Sequence, residues 1–307
     1  MGNVLAFFNK IRHQKDTKGS NGWIDLLGCG GILKKVIKEG QPNTKPEDMQ
    51  VCRILCAMFL DNGTKVHKLE RQKIYIGDLS EIPGLDFAVA SMNIHERCLL
   101  KLTPKFGYGS KGLPGVVPEN ANLVCDVILR KVGPKVNMHD ISSARLLFLW
   151  IKKRKYGNFW YKQGEYDLAG QCYVRAMKYL ECVKLEPKQM LQNKTLYDLA
   201  SAQAMMGSYN TAIEVIDTIL SRNPNNVKAL VKKARIYKVI GDYRSALNLL
   251  WKAKDIAPHK RKVRKEINNI YNIIERKKLQ KAVKEILAIA ASVVAYKISR
   301  YYKTDRY

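Results

Sequence analysis

The stretch Phe106-Gly107-Tyr108-Gly109-Ser110-Lys111-Gly112-Leu113-Pro114-Gly115-Val116-Val117-Pro118 packs glycine and proline densely into one short run. Glycine supplies positive φ, and proline fixes φ and lacks a backbone donor. The run therefore reads as a long loop whose path is set by its backbone. Outward from it the sequence becomes strand-like. Arg97 to Leu102 and Leu123 to Val132 alternate apolar and polar residues. Gln50 to Leu60 is an apolar, β-rich run closed by Asp61-Asn62-Gly63, a strong turn signal. Lys73 to Ile76 ends at Gly77, and Gly31 to Ile37 alternates weakly. Asp86 to Met92 has apolar residues at helical spacing and predicts a single short helix.

With these elements in place, Gly31 to Val132 resembles the FKBP family of immunophilins. The matching features are the Asn62-Gly63 turn, Ile76-Gly77, Phe106-Gly107-Tyr108-Gly109, Leu113 to Pro118, and Leu123-Val124-Cys125-Asp126-Val127. The resemblance implies an antiparallel half-barrel wrapped on a short helix, and cis/trans isomerisation of X–Pro bonds as the family activity. Amide resonance sets a barrier of ~18–20 kcal/mol to that rotation. A dry aromatic pocket holds the proline ring and favours the twisted, less polar amide. By the resemblance, the pocket positions fall here on Cys56, Val66, His67, Gln72, Glu81, Leu85 and Cys125, none of them Phe, Tyr or Trp. Ile82, Tyr108 and Val117 keep the family pattern, and Tyr108 is the residue expected to present a ligand-facing hydroxyl. The expectation is a binding domain with little or no isomerase activity. The alternative is an active isomerase with a relaxed pocket.

After Pro134 the apolar period changes to about 3.6 residues, and Ile141 to Tyr161 predicts one long helix. Gly164-Glu165-Tyr166-Asp167-Leu168-Ala169 is echoed by Gly207-Ser208-Tyr209-Asn210-Thr211-Ala212 and Gly241-Asp242-Tyr243-Arg244-Ser245-Ala246. The second interval, Tyr209 to Tyr243, has the ~34-residue period of tetratricopeptide (TPR) repeats. The first is nine residues longer, an excess expected in a loop around Leu185 to Gln192. Three such helix pairs would stack around a groove. Many TPR proteins hold the acidic EEVD tail of a heat-shock chaperone in a carboxylate clamp. By this resemblance the clamp positions fall on Arg154, Asn158, Lys228 and Lys232, with Asp198 replacing an asparagine. An ionised Asp198 would repel a bound carboxylate, or pair with a clamp lysine and occupy the site itself.

Composition narrows the remaining classes. A hydrophobic fraction of 46% and a charged fraction of 26% exclude a wholly disordered, collagen-like or polytopic membrane chain. The 54 Lys and Arg against 27 Asp and Glu give a net charge of +27, which points to an acidic partner. Residues 259–307 hold the densest excess, with 14 basic and 4 acidic residues. Val263, Ile267, Ile270 and Ile274 form one stripe of a basic helix, expected to cap the repeats and also calmodulin-target-like. Ile286 to Tyr296 is an uncharged run of 11 residues, short against the ~20 a spanning helix needs. Its position resembles the membrane-anchored branch of FKBP–TPR proteins. That implies a tail anchor in the mitochondrial outer membrane or endoplasmic reticulum, with an interfacial amphipathic helix or a cytosolic protein as the alternatives. Val4 to Phe8 is too short for a signal segment, and Ala6 stands where a myristoylation start usually carries Ser or Thr. Seven scattered cysteines, without CxxC pairs, fit reduced thiols. No metal cluster, nucleophile–base constellation, phosphate loop or nucleic-acid motif is legible, so neither a cofactor nor a nucleic-acid partner is expected.

The resulting expectation is an α+β chain, in which the half-barrel is followed by an all-α TPR solenoid and a long C-terminal helix. It comprises an N-terminal extension (1–22), an FKBP-like domain (23–135), three TPR repeats (136–258), a basic capping helix (259–285), a candidate anchor (286–302) and a basic tail (303–307).

Overall fold

The computed structural model describes residues 22–78, 82–186 and 188–304, with the side chains of 67–71 and 296–304 left aside. The N-terminal apolar patch, Glu81, the His67 side chain and residues 305–307 lie outside the described set. The chain forms two compact units, Met1–Ser208 and Tyr209–Tyr307.

The first unit begins with strands β1 (Ile24–Asp25), β2 (Ile32–Lys38), β3 (Gln50–Leu60), β4 (Lys65–Tyr75), β5 (Arg97–Leu102) and β6 (Leu123–Lys135). They form one antiparallel sheet in the order β1-β2-β5-β6-β3-β4. Strand alternation puts every second side chain on one face. That face carries Cys52, Ile54, Cys56 and Met58 of β3, Cys98, Leu100 and Leu102 of β5, and Leu123, Cys125, Val127 and Leu129 of β6, all buried. Helix α1 (Pro83–Ala90) fills the concave side, with Leu85, Phe87, Ala88, Val89 and Ala90 in the same core. It starts three residues before the expected Asp86, because Pro83 at the first turn is preset for helix entry and sacrifices no bonded donor.

Helices α2 (Ser143–Gln163), α3 (Tyr166–Glu181) and α4 (Lys188–Met205) complete the first unit. The second consists of α5 (Tyr209–Arg222), α6 (Val227–Ile240), α7 (Tyr243–Ile256) and α8 (Arg261–Thr304). Gly164 and Gly241 end α2 and α6 with φ of 89° and 95°, the left-handed geometry that reverses the chain into the next helix. The extra length of the first interval is not a loop at Leu185 to Gln192. Residues 188–192 are helical, and most of the excess lengthens α3 and α4, which run 16 and 18 residues against 14 in α5, α6 and α7. Lys188 to Gln192 contains no proline or glycine to stop the helix.

The 44 residues of α8 also merge two expected segments into one helix, since nothing between Arg261 and Thr304 is glycine or proline. Val263, Ile267 and Ile270 pack with Leu250 and Ala253 of α7. From Leu279 to Val294 the helix stands exposed, including Ile286, Leu287 and Ile289. Among the described residues no helix is long and apolar enough to cross a membrane. Glu266 ties α8 to α6, accepting from Arg235 Nε at 2.7 Å and Lys238 Nζ at 3.2 Å. Burial pushes its carboxyl pKa up, but the two cations together outweigh that and hold it below the usual range. A depressed folded pKa stabilises above the unfolded value and loses that stabilisation as pH falls through the folded one. The melting temperature should therefore drop on acidification from about pH 4.3 downward. In Glu266→Gln that acid slope should flatten; an unchanged slope in thermal melts would contradict this assignment.

Candidate ligand-binding site

Residues matched to the family pocket divide into two groups. Ile82, Leu85, Val117, Cys56 and Cys125 are all buried in the sheet–α1 core. Ile82 and Val117, expected to line a ligand pocket, are 2% and 4% exposed and lie in that core. Cys56 and Cys125 sit together there, and a hydrogen bond between the thiols, with burial, pushes Cys125 well above the ordinary thiol range. Burial likewise raises Cys52 to about 12, so Cys52 and Cys125 are inert thiols.

Tyr108 differs. It is half-buried, packs on the edge of the core, and faces a cleft of about 340 Å³. Leu113 completes the loop side, and Lys152, Lys155, Tyr156 and Phe159 of α2 form the opposite wall. Those four lie at i, i+3, i+4 and i+7, one face of the helix. The loop is held by its own bonds, from Leu113 N to Val117 O at 2.9 Å and from Asn120 N to Ser110 O at 2.9 Å.

Two polar grips fix α2 against the sheet domain. At one, Lys153 Nζ lies 3.0 Å from Asp78 Oδ2 and also donates to the Asp78 carbonyl. Tyr179 OH donates to Asp78 Oδ1 at 2.6 Å, and Arg175 Nη2 to Gly77 O at 2.5 Å. Asp78 and Lys153 are 5% and 2% exposed, an ion pair in a nearly dry site. Burial and the Asp78 charge raise the Tyr179 hydroxyl far above its ordinary pKa, so it remains a donor. At the other grip, Gln163 Oε1 accepts from Lys111 N at 2.9 Å and Gln163 Nε2 donates to Gly112 O at 3.0 Å. Sequence reading missed both. The signal was present: Leu146, Trp150, Lys153, Gly157 and Trp160 recur at alternating spacings of four and three, and all are buried. A lysine within such a stripe calls for a buried carboxylate.

The expected clamp residues already have internal partners in the first unit. Asp198 Oδ2 accepts from Arg154 Nε at 2.6 Å, and Asn158 Oδ1 accepts from Tyr173 OH at 2.9 Å. In the second unit Lys228 is exposed and Lys232 half-buried, one turn apart on α6. Among the described residues no group of His, Cys, Asp and Glu is placed to hold a metal ion.

The family described as FKBP-type peptidyl-prolyl cis-trans isomerase matches residues 42–130. Peptidyl-prolyl cis-trans isomerase FKBP4 of Bos taurus is 22% identical over 222 residues, covering 70% of this chain and 48% of its own length. FK506-binding protein 5 of Rhizopus delemar is 26% identical over 238 residues, covering 73% and 60%. The chain thus spans between about half and three-fifths of the curated relatives it matches. Among solved structures, a crystal structure of the three FKBP domains of wheat FKBP73 is 35% identical over 36% of this chain and 48% of that one, with a TM-score of 0.35. A multi-domain immunophilin from Arabidopsis thaliana is 23% identical over 73% and 94%, also with a TM-score of 0.35. This chain carries an FKBP-type domain with homology to multi-domain FKBPs.

Proposed function

We propose that the protein is an immunophilin-like co-chaperone or adaptor. Its FKBP-type domain serves as a binding module with little isomerase activity, and its helix pairs are TPR repeats that take an acidic chaperone tail. The observation that carries this reading is the packing of Cys56, Leu85 and Cys125, each at most 3% exposed, where the resemblance calls for pocket aromatics. Small aliphatic and thiol side chains there leave no aromatic box for a proline ring. Lys228 and Lys232 support the acidic-tail part by their sign and one-turn spacing. The exposed apolar residues of α8 between basic flanks support tethering to an intracellular membrane, of mitochondria or the endoplasmic reticulum. The same basic helix also suits calmodulin.

Two measurements on the full chain test the reading. A prolyl isomerisation assay should show no acceleration above background; a rate matching that of an aromatic-pocket relative overturns the binding-module assignment. A peptide ending in EEVD should bind, and Asp198→Asn should tighten it by roughly tenfold by releasing Arg154 and removing one like charge. Binding that is absent in both proteins overturns the acidic-tail assignment.

A further inference from the structure

The cleft between the 106–118 loop and α2 shares Tyr108 with the residues matched to the family pocket, but its other walls lie outside that set, and none of its lining residues is matched to the clamp. Its volume of about 340 Å³ lies within the range of ligand sites, roughly 300–1,000 Å³. Tyr108, Leu113, Tyr156 and Phe159 give it apolar and aromatic walls. Lys152 and Lys155 stand exposed at its rim. Helix α2 has six basic residues and no acidic one. Of these, Lys153 is engaged by Asp78 and Arg154 by Asp198. Among the described residues neither Lys152 nor Lys155 is paired with a carboxylate; Lys152 lies over the Tyr156 ring, 5.9 Å from its centroid. The walls are also preset. Lys153 and Gln163 grip the sheet domain at points ten residues apart on α2, about 15 Å along the helix, and the cleft lies alongside that span. A rigid cleft loses little entropy when a ligand enters it.

We propose that this cleft binds an internal peptide segment in which a bulky apolar side chain is flanked by carboxylates. The apolar anchor enters between Tyr108 and Phe159, burying the aromatic walls. The flanking carboxylates meet the Lys152 and Lys155 ammonium groups at the rim. Recognition needs no free C-terminus, which separates this site from one that reads an acidic tail. The proposal therefore goes beyond the function proposed above and stands or falls on its own.

The test is calorimetric titration of the full chain with the hexapeptide Asp-Glu-Phe-Leu-Glu-Asp, acetylated and amidated so that it carries no terminal charge. Saturable binding at one site is expected, and replacing the central Phe-Leu by Ser-Ser should abolish it. Lys152→Glu/Lys155→Glu, changed only at exposed rim positions, should weaken binding by at least about tenfold. The same variant should gain affinity for the partner peptide Lys-Arg-Phe-Leu-Arg-Lys, a reversal that unfolding could not produce. Tyr156→Ala should also weaken binding, with thermal melts to check its fold. If the wild-type chain shows no saturable binding, or the charge-reversed variant binds the acidic peptide equally well, the proposal is wrong. Failure here with EEVD binding retained would leave the acidic-tail reading intact.

Discussion

Replacing Asp78 by alanine should lower the unfolding free energy of the first unit by roughly 3–5 kcal/mol, the scale for orphaning one member of a buried ion pair. The substitution leaves the Lys153 ammonium, 2% exposed, without its carboxylate and removes the acceptor of the Tyr179 hydroxyl. Domains are stable by only about 5–15 kcal/mol, so much of the margin would go. Urea unfolding followed by the buried Trp150 and Trp160 reads it directly, because both lie on the helix that the pair anchors. Lys153→Met should be similarly damaging, since it leaves the buried carboxylate. Combining it with Asp78→Asn should cost less than the sum of the two single changes, because no net charge is then left uncompensated. A loss below about 1 kcal/mol for Asp78→Ala would place the pair in the class of solvent-screened bridges instead.

Gly112→Ala should cost roughly 2–5 kcal/mol, combining about 1–2 kcal/mol of left-handed strain with about 1–3 kcal/mol of overpacking. Gly112 has φ of 62°, and a Cβ there would press against the backbone carbonyls of Val117 and Pro118. Its own carbonyl accepts from Gln163, so any shift that relieves the clash also disturbs the grip on α2. Gly115 provides the comparison. Its φ of 75° imposes the same backbone strain, but nothing lies within 4 Å of the added Cβ. Gly115→Ala should thus cost only about 1–2 kcal/mol. Equal effects in chemical unfolding of the two variants would show that crowding at Gly112 contributes nothing.

Strands β5 and β6 were legible because they alternate apolar and polar residues, and β3 as an apolar β-rich run closed by a turn, whereas β4 (Lys65–Tyr75) was read only from Lys73 onward. The helical turns were legible through Gly164, Gly207 and Gly241. A long C-terminal helix was also legible, but its continuity past Ile286 was not, because a change from charged to apolar composition there resembles a boundary although no residue interrupts the helix. The candidate site was partly legible. Tyr108 lines a cleft, whereas Asp198 pairs with Arg154 where a lysine partner was expected. The far wall of that cleft was invisible, since Tyr108 and Phe159 are separated by 50 residues and joined only by tertiary packing. Lys153 was hidden for another reason. It stands in Lys152-Lys153-Arg154-Lys155, where a run of like charges suggests solvent, and only its phase against Trp150 and Trp160 marks it as interior.

The placement of Lys153 and Gln163 bears on how this chain can be divided or exchanged. A cut at Lys135 follows the end of the sheet, but it strips Asp78 of Lys153 and Tyr179 and the Gly112 carbonyl of its donor. The smallest portable piece that keeps those bonds runs through α3. A sheet domain grafted from an FKBP relative would fit α2 only if it brought a carboxylate at position 78 and an open carbonyl at position 112. In this chain the β domain and the first helix pair are held together as one part, although their sequences read as two.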